Sequence, residues 1–410
     1  MRPARSALLL ILTACRGAPS PAAPAPAGAT LVLVSIDGFR PDYLRRPASV
    51  RLRRLAAEGA EARWLEPVAP TLTFPNHYSV VTGLFPAHHG VVGNAMFDPT
   101  IGYRFSIHDT AAVRDPRWWG GEPIWVTAVK QGQRSGTFFW PGSEAAIGGV
   151  RPTYGRAYDS AVPNGVRVRQ VLDWLGLPSS EAPSLVTLYF SDVDAAGHRF
   201  GPDAPQVDSA IARVDSAIGQ LVDGLASLGG GDRINLLIVS DHGMTGVSRD
   251  RLIYLDDYLP LASVRVDEWA PMLGVTPLSG TAEDVYQRLK GHHPHLAVYR
   301  RAETPPRFHF DANPRLAPVI AVADEGWLVT SHAIMDTLSP GGFPKGMHGY
   351  DPSVPAMRAF LLARGPAFRR AVVVPPFTNV HLYALMAHIL GLRPAPNDGM
   401  LDSAATLLRR

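Results

Sequence analysis

The chain has 410 residues, of which 46% are hydrophobic and 18% charged, and its formal net charge is +3. This is the balance of an ordinary globular protein with enough apolar material for a core, and the length alone suggests two or three domains. No dense basic run occurs, so the composition argues against a protein that wraps nucleic acid. The oligomeric state is left open.

The N-terminal residues have the pattern of an export signal with a site for lipid attachment. A basic stretch at residues 1–5 precedes an apolar run at 7–12, which is too short to span a bilayer as a mature helix. The run ends in Leu12-Thr13-Ala14-Cys15, which resembles a bacterial lipobox. We predict a signal peptide over residues 1–15, lipidation of Cys15 and a Pro/Ala-rich tether over 16–29. The protein would be an exported lipoprotein, anchored in a membrane and facing the periplasm or the cell exterior; the alternative is an ordinary signal peptide that is cleaved nearby.

The rest of the chain shows no Pro/Ser-rich linker and no internal repeat, so we interpret residues 30–410 as one catalytic domain. Short β-rich runs alternate with helical segments, which predicts an α/β fold around a mostly parallel central sheet flanked by helices. Apolar residues at spacings of four and three from Val207 to Leu228 predict one long helix. The segment from about 255 to 344 differs in character and is predicted to form a smaller inserted lobe.

Three predicted strands share the feature that aspartate follows them. The carboxyl ends of parallel strands line the ligand crevice, so these carboxylates should gather at one edge of the sheet. Such a cluster repels itself unless a cation compensates it. The strands and the residues after them are 31–36 before Asp37, 185–190 before Asp192 and Asp194, and 234–239 before Asp241 and His242.

Two further histidines complete a set of metal-ligand residues. His198 follows Asp194 by four positions, and His348 lies in Met347-His348-Gly349. With Asp37, Asp194, Asp241 and His242 they give three aspartates and three histidines, enough oxygen and nitrogen ligands for two zinc ions with open positions. The single cysteine lies in the N-terminal segment, so thiolate ligation within the domain is excluded. We interpret His77, His88, His89 and His108 as structural, His292, His293 and His295 as a solvated loop, and Asp192 as a residue that orients its neighbours.

The segment around Thr73 supplies a candidate nucleophile. Pro75 suits the first turn of a helix, because it lacks an N–H and its φ is preset. A helix that begins there points its N–H groups towards Thr73, which favours a bound phosphate. Threonine becomes an effective nucleophile when a metal ion lowers the pKa of its hydroxyl.

Taken in order, these motifs resemble the nucleotide pyrophosphatase/phosphodiesterase family of the alkaline phosphatase superfamily. The resemblance runs along essentially all of residues 31–401. The segment before Asp194 departs from it, because Ser191 and Val193 stand where relatives often have Glu and Pro. The matching segments are 35–40, 73–78, 82–84, 89–94, 139–143, 194–198, 240–243, 323–327, 345–350 and 391–399.

The resemblance implies an alkaline-phosphatase-like core and a role for each site residue. One zinc ion would bind Asp194, His198 and His348, and the other Asp37, Asp241 and His242. Thr73 would bridge towards the second ion and become transiently phosphorylated, while the Asn94 side chain and a backbone N–H near Phe74 would hold a phosphate oxygen. The rings of Phe74 and Tyr154 would hold a nucleobase by its two faces.

Several functions fit this set of residues. The leading one is a phosphodiesterase or pyrophosphatase that releases nucleoside monophosphates. A choline-type phosphodiesterase and a phosphonate hydrolase are alternatives within the same superfamily. A phosphate monoesterase and a sulfatase are disfavoured, since no cation is placed for a second phosphate charge and no formylglycine motif occurs. A non-catalytic surface binding protein is a remote alternative.

Overall fold

The computed structural model describes residues 28–228, 233–310, 313–339 and 341–409. The predicted signal peptide, Cys15 and all but the last two residues of the predicted tether lie outside these ranges. Within the described residues, no helix combines the length and the apolar character needed to cross a bilayer.

Strands and helices alternate along most of the chain. The strands are β1 Thr30–Ile36, β2 Ala60–Ala62, β3 Leu65–Glu66, β4 Ala95–Asp98, β5 Tyr103–Ser106, β6 Ser135–Phe138, β7 Tyr154–Arg156, β8 Leu185–Phe190, β9 Ile234–Val239, β10 Thr245–Gly246, β11 Leu252–Tyr254, β12 Val264–Val266, β13 Met272–Pro277, β14 Leu296–Arg300, β15 Val319–Ala323, β16 Leu328–Thr330, β17 Gly346–Met347, β18 Leu361–Arg364, β19 Val372–Val374 and β20 Phe377–Thr378. The α-helices are α1 Val50–Glu58, α2 Thr73–Thr82, α3 Pro86–His89, α4 Thr110–Arg114, α5 Ile124–Lys130, α6 Asn164–Leu175, α7 Asp192–Phe200, α8 Pro205–Ser227, α9 Ala282–Leu289, α10 His332–Thr337, α11 His381–Ile389 and α12 Leu401–Ala404.

The largest sheet of the described residues has eight strands in the order β19-β2-β18-β9-β1-β8-β6-β7. Its neighbours pair in parallel except β18, which runs antiparallel to both β9 and β2. The mostly parallel sheet predicted from the sequence is confirmed. The three predicted strands correspond to β1, β8 and β9, which lie side by side at the centre of the sheet.

Two apolar cores cover the two faces of this sheet. Alternate residues of β1 point to opposite sides: Leu31 and Leu33 join one core, and Val32 and Val34 join the other. The predicted long helix is α8, which buries its apolar stripe in the second core from Val207 to Leu225. Leu228 falls just after the helix and is exposed, so the stripe ends one turn earlier than predicted.

A second, smaller sheet lies within the segment predicted as an inserted lobe. Its four strands are antiparallel, in the order β12-β13-β15-β14, and α9 packs on them around a separate apolar cluster. Chain connections into and out of this sheet run through β11 and β16, which pair with each other in parallel. This segment therefore has a small apolar core of its own, and the other face of its sheet packs on Ala69.

Candidate metal centre and nucleophile

Sheet register brings the strand-end residues together. β1 and β8 pair from Leu31 with Leu185 to Ile36 with Phe190, so the chain leaves both strands at the same level. Asp37 follows β1 directly, and its backbone N–H donates to the carbonyl of Phe190. The β9 strand ends at Val239 on the other side of β1, just before Asp241. The predicted cluster at one sheet edge is therefore present.

A first group of ligand residues comes from α7 and from the loop after β17. Asp194 and His198 lie one turn apart on α7, and His348 faces them. The Nε2 atoms of His348 and His198 are 3.1 Å apart, and His198 Nε2 is 3.4 Å from Asp194 Oδ1. Two imidazole nitrogens and a carboxylate oxygen at this spacing can hold a metal ion.

A second group surrounds His242 at the strand ends. Its Nε2 lies 2.9 Å from Asp241 Oδ2, 3.6 Å from Asp37 Oδ1 and 3.3 Å from Thr73 Oγ1. The His242 ring also stacks on the His348 ring at 3.6 Å, which joins this group to the first. Further sets of atoms able to hold an ion are Asp37, Asp194 and His242, and Asp37, His77 and Asp241.

Backbone contacts orient all three predicted histidine ligands in the same way. The Nδ1 atom of His198 lies 3.0 Å from the Gly346 carbonyl, that of His348 lies 2.9 Å from the Thr71 carbonyl, and that of His242 lies 2.9 Å from the Gly243 carbonyl. A carbonyl can only accept, so each Nδ1 carries the proton and each Nε2 presents a lone pair to the centre. This is the usual arrangement of histidines that bind metal.

Three buried carboxylate oxygens in this centre have no hydrogen-bond partner among the described residues: Asp37 Oδ1, Asp194 Oδ1 and Asp241 Oδ2. Burial, then the carboxylates of Asp241 and Asp194, raises the pKa of Asp37 well above its ordinary value. Buried carboxylates without donors are destabilising unless a cation compensates them. The donor set therefore fits bound metal ions, with oxygen and imidazole ligands of the type that zinc accepts.

Thr73 is the first residue of α2 and lies beside the second group. The helix begins two residues earlier than predicted, at Thr73 itself, so Pro75 occupies its first turn rather than its start. The hydroxyl contacts His242, and the Thr73 carbonyl accepts from His77 Nδ1 at 2.9 Å. The candidate nucleophile thus lies at the positive end of a ten-residue helix, next to the metal ligands.

Asn94 is held against the backbone of Phe74, the residue that follows Thr73. The Phe74 N–H donates to Asn94 Oδ1 at 2.9 Å. A backbone N–H can only donate, so the atom it meets is the amide oxygen, and the Asn94 NH₂ group remains as the donor to a ligand. We expected the Asn94 amide and a backbone N–H near Phe74 both to bind the phosphate. The Phe74 N–H instead donates to the Asn94 amide and orients it.

The structure does not bring Tyr154 to Phe74. Tyr154 is in β7 opposite Gly136, where its ring stacks on Trp174 at 5.9 Å and its hydroxyl donates to the Glu181 carbonyl. The ring of Phe74 is instead half-buried against Phe105 and Trp119, at the other core. The predicted pair of rings is therefore wrong for Tyr154, because strand pairing turns its ring onto α6.

A different tyrosine reaches the centre from the same stretch of chain. Tyr158 is 50% exposed, and its ring lies 6.1 Å from that of Tyr189. Its hydroxyl is 3.5 Å from the Oγ atom of Ser191, the residue before α7. Tyr189 in turn donates to Asp37 Oδ2 at 2.5 Å. The register of β1 with β8 pairs Ser35 with Tyr189, and this pairing is the signal that could have identified the contact between Tyr189 and Asp37.

His77 belongs to the centre although its sequence context suggested only a structural role. Its Nδ1 lies 3.3 Å from Asp241 Oδ2 and 2.9 Å from the Thr73 carbonyl, and its Nε2 lies 2.7 Å from Ser35 Oγ. With Nδ1 donating to the Thr73 carbonyl and Nε2 accepting from the Ser35 hydroxyl, both ring nitrogens have partners, so His77 orients Thr73 and lies beside Asp241. The spacing of four between Thr73 and His77 on one helix face indicates this contact.

Known proteins match both the sequence and the structure. A family model described as type I phosphodiesterase / nucleotide pyrophosphatase matches residues 31–351. Bis(5'-adenosyl)-triphosphatase enpp4 of Xenopus laevis is 37% identical over 404 residues, covering 98% of this chain and 86% of that protein. The Homo sapiens ENPP4 of the same name is 38% identical over 381 residues, covering 92% and 82%.

A solved structure supports the same relationship. Inactive murine ectonucleotide pyrophosphatase / phosphodiesterase 5 in complex with AMP superimposes with a TM-score of 0.87 at 35% identity, covering 93% of this chain and 100% of that one. The agreement is consistent with the alkaline-phosphatase-like α/β core expected from the sequence. The chain belongs to the type I phosphodiesterase / nucleotide pyrophosphatase family and is an enzyme of that class.

Proposed function

We propose that the chain hydrolyses nucleotide phosphodiester and pyrophosphate bonds with Thr73 as the nucleophile and two zinc ions as cofactors, releasing nucleoside monophosphates. The observation that carries the proposal is the contact of Thr73 Oγ1 with His242 Nε2 at 3.3 Å, which puts a hydroxyl at the edge of the ligand cluster. Two relatives are named for bis(5'-adenosyl)-triphosphate, and the solved relative holds AMP.

The six predicted ligands divide into two sets of three. One ion would be held by Asp194, His198 and His348, whose ligand atoms lie within 4.8 Å of one another. The other would be held by Asp37, Asp241 and His242 around the His242 Nε2 atom. Bound zinc supplies Lewis-acid chemistry, which lowers the pKa of a hydroxyl and draws charge from phosphate oxygens.

Thr73 and water then carry the reaction in two displacements. The Thr73 hydroxyl releases its proton to solvent and its oxygen forms a bond to phosphorus, while the bond from phosphorus to the leaving oxygen breaks and that oxygen takes up a proton from solvent. Water next attacks phosphorus, the Thr73 oxygen leaves and is reprotonated, and the nucleoside monophosphate is freed. The start of α2 favours the anionic phosphate at this place, and the Asn94 NH₂ group donates to the equatorial oxygen on which charge builds.

Phe74 and Tyr158 are the aromatic residues best placed to hold a nucleobase. Phe74 follows the nucleophile and is half-buried, and Tyr158 is exposed beside Tyr189 and the start of α7. Stacking on aromatic faces accepts purines and pyrimidines alike, because every base has a π-face. Tyr158 takes the role that the sequence had suggested for Tyr154.

A panel of substrates tests this function. Purified protein is assayed on a nucleotide diester, a dinucleoside triphosphate, an aryl diester, an aryl monoester, glycerophosphocholine and phosphonoacetate, with Thr73→Ala as the matched control. We expect the highest kcat/KM on the nucleotide substrates. Preference for glycerophosphocholine or phosphonoacetate would instead assign the choline-type or phosphonate alternative, and no turnover of any substrate would favour a binding protein.

We also propose that Cys15 becomes a lipidated N-terminus that anchors the enzyme outside the cytoplasm. Support comes from the lipobox-like residues 12–15 and the Pro/Ala-rich segment after them. Mass spectrometry of the mature protein should find a diacylglyceryl group on Cys15 and the protein in the membrane fraction. An unmodified N-terminus at another residue, with fully soluble protein, would refute the anchor.

A further inference from the structure

Glu268, from the inserted lobe, contacts the turn that carries Asn94. This residue follows β12 and was not singled out by any sequence motif. Its Oε2 atom accepts from two consecutive backbone N–H groups, Asn94 at 2.8 Å and Ala95 at 3.2 Å. One carboxylate oxygen thus bridges the backbone at and just after the proposed oxyanion donor.

The preceding glycine leaves room for this carboxylate. A Cβ atom at Gly93 would lie 2.6 Å from Glu268 Oε2, closer than Cβ atoms come to other atoms in proteins. Any side chain at position 93 would push the carboxylate away from the turn. Gly93 and Glu268 therefore fit each other, although 175 positions separate them in the sequence.

Asn94 is fixed from three directions as a result. Its N–H donates to Glu268, its carbonyl accepts from the Ile107 N–H at 3.0 Å, and its Oδ1 accepts from the Phe74 N–H at 2.9 Å. The last contact sets the amide relative to the nucleophile, since Phe74 follows Thr73. The Glu268 contact is the one that comes from the lobe.

The same stretch of the lobe contacts the β4–β5 hairpin at two more places. The Arg104 side chain in β5 donates to the Asp267 carbonyl, and the Arg265 guanidinium lies over the Phe97 ring at 4.1 Å from its centroid. Residues 265–268 therefore hold the hairpin along its length. Movement of the lobe would carry the Asn94 turn with it.

We propose that Glu268 is a positioning residue for hydrolysis: its carboxylate holds the Asn94 turn so that the amide meets the phosphate oxygen. The proposal rests on the proposed role of Asn94 as the oxyanion donor. Hydrogen bonds to an ionised acceptor are stronger than neutral ones. Without this acceptor two N–H groups lose their partner and the amide loses its fixed place, and small displacements of catalytic groups reduce rates strongly.

The protonation state of Glu268 should make its contribution to kcat depend on pH. Burial, opposed by the two N–H groups, raises the pKa of Glu268 to about 7. The ionised form present at higher pH accepts both bonds best, so this contribution to kcat should fall as pH drops through about 7. The charged groups around Glu268 are Asp267, Arg104 and Arg265, which pairs with Asp267. Arg315, which pairs with Asp98, lines a cavity together with Glu268.

Five variants test the proposal on a nucleotide diester: Glu268→Ala, Glu268→Gln, Asn94→Ala, the Glu268→Ala/Asn94→Ala pair, and Glu283→Ala. Glu283 is an exposed glutamate of the same lobe, paired with Arg300, and serves as the control. Glu268→Ala should lower kcat about 10- to 100-fold with a smaller change in KM, the size expected for a misplaced group. Adding it to Asn94→Ala should lower kcat less than about threefold further, as coupled residues do.

Glu268→Gln keeps an acceptor oxygen of the same shape but cannot ionise. Its kcat at pH 8 should fall below that of wild type but stay above that of Glu268→Ala, and the component of the pH profile near 7 should disappear. A pH profile of Glu268→Gln identical to that of wild type would overturn the proposal even if Glu268→Ala does not fold. So would wild-type kcat in Glu268→Ala when Asn94→Ala is impaired, which would leave the role of Asn94 intact. An unimpaired Asn94→Ala would instead refute the proposed oxyanion donor.

Discussion

The two halves of the candidate metal centre differ in how the fold builds them. Asp37, Asp241 and His242 come from the ends of adjacent central strands, and their side chains are at most 2% exposed. Asp194 and His198 come from one helix, α7, and their side chains are 17% and 32% exposed. The position of the strand-end half is set by sheet register. The position of the helix half depends on how α7 packs beside the sheet.

This difference in burial places the proposed nucleophile beside the buried ligands and leaves the other ligands partly exposed to solvent. Thr73 contacts the buried half through His242, so the proposed attack on phosphorus takes place beside the most buried ligands. The other half is partly open to solvent at His198, whose side chain is 32% exposed. Gly38 lets the two halves approach: its φ is +66°, and a Cβ atom there would lie 3.0 Å from Asp194 Cα.

The largest expected effect is loss of the nucleophile at the buried half. Thr73→Ala should keep the fold and both metal ions but lower kcat by about four orders of magnitude, because no other group forms the covalent intermediate. Steady-state kinetics and elemental analysis check this, with Thr73→Ser as the control that retains a hydroxyl. Activity of Thr73→Ala within tenfold of wild type would remove Thr73 from the role.

A pair of ligand variants compares the two halves directly. Asp241→Ala and Asp194→Ala should each lose one of two bound zinc ions and most activity. Asp241→Ala should also lower the Tm more, because its carboxylate is fully buried and accepts from the Gly38 N–H, and loss of such a partner costs about 1–3 kcal/mol. Elemental analysis and thermal unfolding measure both effects. Equal Tm values would show that burial does not distinguish the two halves.

Asn94 is the proposed oxyanion donor and belongs to neither set of proposed metal ligands, so its removal should leave the metal content unchanged. Asn94→Ala should raise the barrier by roughly 2–4 kcal/mol, as loss of other oxyanion donors does, which is a fall in kcat of about 30- to 1,000-fold. Kinetics and elemental analysis on one preparation test both parts. Loss of an ion would mean that Asn94 supports the metal centre instead.

The smallest expected effects concern the nucleobase. Phe74→Ala and Tyr158→Ala should each lower kcat/KM on a nucleotide diester by about 5- to 150-fold, since stacking contributes roughly 1–3 kcal/mol per base. A small aryl diester has no base and should change little. Tyr154→Ala is the matched control and should show no such selectivity, because its ring packs on Trp174. Equal losses on both substrates would assign the rings to the fold.

The sequence predicted those parts of the site that follow from local pattern. The apolar runs before Asp37 and Asp241 are unambiguous strands, and parallel pairing brings their ends together. The i, i+4 spacing of Asp194 and His198 puts both on one face of α7, although no sequence pattern predicted that helix. Local patterns therefore identified residues that the fold brings together, but not the helix that carries two of them.

Local sequence patterns did not predict the contacts between elements that are distant in the sequence. Glu268 meets Asn94 only because the lobe folds back onto the β4–β5 hairpin, and neither segment carries a motif for the other. Tyr154 was misplaced for a similar reason: it lies opposite Gly136, and the Trp174 ring covers that glycine, with a ring atom 2.9 Å from where a Cβ would lie. Position along the chain did not reveal which way the ring would turn.

The stereochemistry at phosphorus tests the two-displacement reaction at Thr73 most directly. A nucleotide diester with a chiral phosphorothioate is hydrolysed in isotopically labelled water, and the configuration of the thiophosphate product is determined. Each in-line displacement inverts the phosphorus centre, so attack by Thr73 followed by attack by water predicts overall retention. Overall inversion would show that water attacks the substrate directly and would contradict a covalent intermediate on Thr73.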